Sequence, residues 1–324
     1  MNNHIDLAAL GTLFPALAGT PAAVPVPTRT ALAAVPIPGV APNCYGLEIS
    51  DDEYHGSCPG ASSSSLKKLL RSPAHYQAYL NEVDTDSGDR KFGRAVHALL
   101  LEPATFQARF AVWCEGRRAG WKYEEFCEEH PGKTILKEEE HQRAMEAALS
   151  LRNSPDFPFG VWLDGLPPTA THEAVPAARC EFTILWIDED TGVQCKARID
   201  AHSPMPQPLA TDVKTTDDSR KSSFRRQFMK LDYDLQCAHY RAALKAFYGF
   251  DFPFLFPVVE AKAPHATGIF GMTDAMLENG EAKRRYALAR LARCSEDGIW
   301  PAYLNGGIQT LDVPFMGRFD PNAV

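Results

Sequence analysis

Between Cys180 and Thr216 the chain runs through three strand-like segments in close succession. They are CEFTILWID, then VQCKARIDAH after Thr191–Gly192, then LATDVKTT after the proline-rich turn PMPQP. Each is rich in apolar and β-branched residues and bounded by turn formers, and the connections are short enough for hairpins. The flanks then limit the fold class. FGRAVHALLLEP, with helical periodicity ended by Pro103, lies ahead of the strands. FRRQFMKLDYDLQCAHYRAALKAFYG follows them and reads as one long amphipathic helix stopped by Gly249. FPFLFPVVEAK is a further buried strand, and EAKRRYALARLARC a basic helix near the end. The order helix, three strands, helix, strand predicts an α/β domain in which a central mixed sheet is flanked by helices.

Added helices are expected on both sides of this core. Ser62–Ser65 cap LKKLLRS, which stops near Pro73, and AHYQAYL gives a second helical turn. The region 105–150 reads as mostly helical and strongly charged. Residues 17–42 are rich in Ala and Pro and cannot donate a regular hydrogen-bond ladder. The expected organisation is therefore an arm or linker over 1–44 and one folded domain over 45–324.

A net charge of -8 argues against a protein that coats nucleic acid unspecifically, but not against an enzyme with a local basic track. No two of the eight cysteines stand as Cys-x-x-Cys, so neither a zinc ribbon nor a clustered iron–sulfur ligand set is written here. Scattered free thiols fit a reducing cytoplasm. The start, MNNHIDLAAL, lacks the positive region of a signal peptide, and Pro15, Gly19 and Pro21 break its apolar stretch. A cytoplasmic protein without a membrane span is expected.

The sharpest chemical signal is ARIDAHSPMPQPLATDVKTT. Side chains alternate along a strand, so Asp212 and Lys214 project to the same side, and the hairpin can bring Asp200 beside Asp212. Two carboxylates and a lysine in one pocket are costly unless a divalent cation resolves the conflict. Mg²⁺, or Mn²⁺ in its place, prefers such hard oxygen ligands and turns a bound water into a nucleophile for a phosphodiester. Lys214, close to metals and partly desolvated, could have a lowered pKa and help position or deprotonate that water, while a second metal would stabilise the leaving 3′ oxygen. The same Asp-x-Lys would also serve as a surface ion pair. His97 shares a helical face with Gly93 and could be a metal ligand or a satisfied core residue. Gln236 and Tyr240, at i and i+4, could serve the site or cover the core. Glu260-Ala-Lys262 is a competing Glu-x-Lys, but it lacks an aspartate at hairpin distance preceded by an arginine and is placed as a strand terminus.

Arg220, Lys221, Arg225 and Arg226, with Lys230, come directly after the Asp212 strand. On a helix beginning near Ser223 they would lie beside the pocket and meet backbone phosphates, or else balance Asp217, Asp218, Asp232 and Asp234. Trp113, Trp121 and Tyr123 could stack on bases or pack in a core.

Taken in order, Gly93-x-x-x-His97, Arg198-x-Asp200, Asp212-x-Lys214 and Gln236-x-x-x-Tyr240 resemble the RecB-like branch of the PD-(D/E)XK nucleases. ISDDEYHGSCPGASSSSLKKLLRSPAHY, FGRAVHALLLEP, DVKTT, GIWPAY and IQTLDVP are similar to the nuclease domain of exonuclease VIII (RecE-type) and its phage relatives, over roughly Tyr45 to Pro314. The resemblance implies that His97, Asp200 and Asp212 are metal ligands with the carbonyl of Val213, and that Lys214 is the catalytic lysine. Gln236 and Tyr240 would support the site or contact the DNA end. It further implies Mg²⁺-dependent degradation of the 5′-ended strand of linear double-stranded DNA by a ring-shaped homo-oligomer such as a tetramer. The 3′ tail left behind would go to a single-strand annealing protein in recombination. Asp212 stands where many members of the wider superfamily have Glu. Two alternatives remain at this point: another PD-(D/E)XK nuclease (an endonuclease or a CRISPR-type exonuclease), or a non-catalytic module that binds DNA ends.

Overall fold

The computed structural model describes residues 44–82, 88–157, 178–204 and 208–303. The Ala/Pro-rich stretch, IQTLDVP and part of the PMPQP turn lie outside the described residues. The strands are β1 (Cys44–Leu47), β2 (Phe110–Trp113), β3 (Thr134–Lys137), β4 (Arg179–Ile187), β5 (Gln194–Ser203), β6 (Leu209–Thr211), β7 (Lys214–Thr216), β8 (Phe254–Glu260) and β9 (Thr267–Gly271). The helices are α1 (Asp51–Gly56), α2 (Ser63–Arg71), α3 (Pro73–Leu80), α4 (Gly88–Leu101), α5 (Phe106–Arg109), α6 (Trp121–Glu129), α7 (Glu138–Arg152), α8 (Lys221–Lys230), α9 (Tyr233–Tyr248) and α10 (Asp274–Asp297).

The expected meander forms. β4 pairs antiparallel with β1 and β5, and β5 with β6. β6 and β7 both pair parallel with β8: Ala210 faces Phe254 and Lys214 faces Val258. The register is the same for both, so they are two halves of one strand line interrupted at Asp212–Val213. β9 adds antiparallel to β8. The sheet is thus mixed but mostly antiparallel, as the α/β reading requires. β2 and β3 make a separate parallel pair.

Helices cover both faces because the strands present apolar residues on both. On one side Phe182, Ile184, Ile199 and Phe256 pack against Leu66 and Leu69 of α2, Phe224 of α8, Leu244 of α9 and Leu288 of α10. On the other, Ala201, Val213 and Val259 meet Phe92 and Val96 of α4 and Leu151 of α7. The serine caps are real: Ser62 and Ser65 form a reciprocal capping box on α2, and Ser72 caps α3 ahead of Pro73.

One expectation fails. The long helix after the meander is two helices, and the first begins at Lys221 rather than near Ser223. The break is at Asp232, whose φ of 48° is left-handed. Aspartate tolerates that conformation better than most residues, and Lys283 of α10 holds its carboxylate at 2.6 Å. Gly249, with φ of 83°, does end α9 as expected. Among the described residues no helix is long and apolar enough to cross a membrane.

Candidate active site

Three neighbouring strands bring carboxylates into line. The β4–β5 register pairs Cys180 with Ala201 and Phe182 with Ile199, which sets Glu181 against Asp200 between them. The β5–β6 register pairs Ala201 with Thr211, and one residue further it sets Asp200 against Asp212. The sheet is irregular along this line. Glu181 has a left-handed φ of 51°, a conformation that non-glycine residues adopt only when their surroundings enforce it. Phe182 and Ile199 belong to the first core, whereas Cys180 and Ala201 pack with the second, so the alternation of faces slips at Glu181 and Asp200. The Val213 amide donates to Asp200 Oδ2 at 2.7 Å, a side chain standing in for a ladder partner.

Helix α4 lays His97 over the line. Its Nε2 donates to the Val213 carbonyl at 3.0 Å, and its Nδ1 lies 3.4 Å from Asp200 Oδ2 and 3.9 Å from Glu181 Oε1. Gly93, one turn earlier, permits the close approach, because a Cβ there would come within 3.3 Å of Thr215 Oγ1. Burial works against a charged His97, but Asp200 and Glu181 outweigh it and raise the ring to about 9. Asp200 is pushed up to about 7 by burial and by the charge of Asp212. Burial opposes the charge of Glu181 as well, yet the His97 contact and the Arg198 guanidinium, whose Nε donates at 2.6 Å, draw it down to about 2. Arg198 is the arginine of Arg-x-Asp, and its work here is to hold Glu181.

On the opposite side Lys214 forms an ion pair with Asp212 and donates to Gln236 Oε1 at 3.4 Å. The Gln236 amide nitrogen donates to Asp212 Oδ1 and to the Tyr240 hydroxyl, both at 3.1 Å. This fixes which end of the amide faces the lysine. Burial would strip Lys214 of its proton, but Asp212 more than compensates, so the pKa rises rather than falls. Asp212 thus holds the Lys214 ammonium, whereas the lowered pKa expected from the sequence is for a lysine beside bound metal. Among the described residues Asp212 Oδ2 is buried with no well-aligned hydrogen bond and faces that ammonium. His97, Glu181 and Asp200 each offer a ligand atom, all within 4.8 Å of one another. Carboxylate and carbonyl oxygens with one imidazole suit a small hard cation.

A family model described as a PDDEXK-like domain of unknown function matches residues 62–313. The chain belongs to this family. The PDDEXK-like domain also shares its fold with a crystal structure of a "Putative exonuclease" from Eubacterium rectale. The TM-score is 0.50 at 14% identity, with 78% of this chain and 88% of that one covered. No curated protein matches.

The PDDEXK-like domain thus gathers His97, Asp200, Asp212, Val213, Lys214, Gln236 and Tyr240 in one place and adds two residues that the sequence reading passed over. Glu181 was hidden because only its left-handed backbone and the strand register bring it to Asp200. Lys67, from α2, donates to Gln236 Oε1 at 3.3 Å. The basic residues are on the surface: Arg220 is exposed and pairs with Asp218, while Lys221, Arg225 and Arg226 project from the open face of α8. Gln227 of the same helix turns back to Thr216 Oγ1 at 2.6 Å. Glu260 accepts from the backbone and hydroxyl of Ser219, at 2.9 and 3.1 Å, and so ties down the loop after β7 as a strand terminus. Trp113 is buried beside Tyr123 and Phe126, whereas Trp121 is 70% exposed.

Proposed function

We propose that the chain is a divalent-metal-dependent deoxyribonuclease that degrades linear double-stranded DNA from the 5′ end and leaves 3′ single-stranded tails. The observation that carries this reading is the line Glu181–Asp200–Asp212, closed by His97 on one side and by Lys214 on the other. The donor set, two carboxylates and an imidazole whose ligand atoms lie within 4.8 Å of one another, fits a hard cation. His97, Asp200, Asp212 and the Val213 carbonyl would hold Mg²⁺, or Mn²⁺ in its place, with Glu181 beside them. When bound, the ion supplies Lewis acidity toward the phosphate and toward an attacking water.

The chain's own residues do the rest. Lys214, kept charged by Asp212, presents an ammonium to a non-bridging oxygen or to the attacking water. Gln236 and Tyr240 lock that lysine's position. Arg198 keeps Glu181 ionised, and His97 keeps the Val213 carbonyl in place until the site fills. Arg220, Lys221, Arg225 and Arg226 would take phosphates of the duplex further from the cut. Polarity, a ring-shaped homo-oligomer and an annealing partner rest on the motif resemblance to exonuclease VIII.

The test uses linear duplexes labelled at the 5′ or the 3′ end, incubated with Mg²⁺ and with chelator. Release of the 5′ label with Mg²⁺ alone is expected, with covalently closed circles left intact and Asp212→Ala and Lys214→Ala inactive. Equal digestion of circles would refute an exonuclease, and activity surviving in either variant would refute the site.

A further inference from the structure

Lys67 is an amine at the site with no part in holding the cation or in fixing Lys214. It reaches the site from α2, whose cap at Ser62 fixes the helix start and whose Leu66 and Leu69 anchor it in the first core. Its Nζ and that of Lys214 both donate to the one carbonyl oxygen of Gln236, at 3.3 and 3.4 Å. Both also lie over the ring of Tyr233, at 5.1 and 4.5 Å from its centroid. One neutral oxygen therefore stands between two ammonium groups. The two differ in one respect. Lys214 has Asp212 as its counter-ion; among the described residues Lys67 has no carboxylate within ion-pair distance.

A half-buried cation with only an amide oxygen and a ring face is poorly compensated, since desolvated charges are normally paired. Burial and the charge of Lys214 accordingly lower Lys67 to about 7. A phosphate would mend this. Its non-bridging oxygens carry negative charge, and one of them can take the place of the Gln236 oxygen between the two lysines. Gln236 then acts as a stand-in acceptor that keeps both side chains extended while no DNA is bound.

Resting on the nuclease reading above, we propose that Lys67 is a second lysine of the active site, which with Lys214 clamps a non-bridging oxygen of the phosphodiester to be cut. The clamp joins two elements far apart in sequence, and it gives α2 a part in substrate recognition.

The test measures the full chain and its Lys67→Met, Lys67→Gln and Lys67→Arg variants in two ways. The first is binding to a short linear duplex in chelator across a salt series. The second is single-turnover cleavage of the same duplex with Mg²⁺. Loss of one phosphate contact is expected to make the log–log salt slope shallower by about one unit. Cleavage should slow about a hundredfold in the neutral variants. Lys67→Arg should keep the slope and recover part of the rate. Lys67→Gln retains a polar end for Gln236 and gives the same reading if Lys67→Met fails to fold. Wild-type slope and wild-type rate in both neutral variants would overturn the clamp while leaving the nuclease intact. A parent protein that neither binds nor cuts DNA would overturn both together.

Discussion

Arg198 and Glu181 show how much one residue's position can depend on another. The side chains are almost fully out of water, at 7% and 11% exposure, and Arg198 also donates to the Ile49 carbonyl at 2.9 Å. Truncating one member of such a pair leaves the other charged and desolvated, at a cost of about 3 kcal/mol or more. Arg198→Met should therefore lower the urea midpoint sharply, and Glu181 should lose its hold on His97. At the same scale, His97 near 9 and Asp200 near 7 would set the pH dependence of the proposed cation binding. A ligand must shed its proton to coordinate, so affinity is expected to climb as pH rises through those values, with protons released on binding. Calorimetry in buffers of different ionisation heat would read that release; a heat independent of buffer would contradict it. Asp200, Asp212 and Lys214 were legible as a cluster from the hairpin spacing, whereas His97 stood between ligand and core residue until the motif resemblance was drawn. Glu181 and Lys67 were not legible. One depends on a backbone angle that alternation does not encode, and the other comes from a helix 133 residues before Asp200 in the numbering of the chain.

Elements are joined here by close backbone contacts as much as by side-chain packing. Helix α10 crosses α9 at Gly280, where a Cβ would lie 2.2 Å from the Asp234 carbonyl oxygen. Gly280→Ala must push the two helices apart, and a loss of about 2 kcal/mol is expected in chemical unfolding. Asn279 and Lys283 flank the crossing and both bind the buried Asp234, so the displacement would also loosen the start of α9, the helix that carries Tyr233, Gln236 and Tyr240. Periodicity read α8 and α9 as a single helix, because apolar spacing continues across the junction. What separates them is the left-handed Asp232 and the lysine that holds it, a tertiary contact that no local pattern announces.

For the molecule as a whole, two buried histidines set an acid limit. His202 lies among Phe182, Tyr248 and Phe252, and burial with the charge of Arg179 lowers it to about 3. His239 donates to the Lys196 carbonyl at 3.0 Å with its other ring nitrogen unpaired, and burial lowers it to about 4. Both values lie below the ordinary histidine value of about 6.5. The unfolded chain thus binds protons that the fold refuses, so their contribution is complete above about pH 6.5 and is lost as pH falls through the range below it. Each should withdraw about 2 kcal/mol near pH 5. Unfolding followed in urea between about pH 7 and 5 would reveal this, and His202→Phe should flatten the dependence. The seam at Asp212–Val213 has a different consequence. The Val213 amide is bonded to a carboxylate that would coordinate the cation, while its carbonyl is bonded to the histidine that would do the same. One residue therefore touches both through its two flanking peptide units, and the resonance and exchange rate of its N–H would serve as a built-in gauge of occupancy, readable without any substrate being consumed.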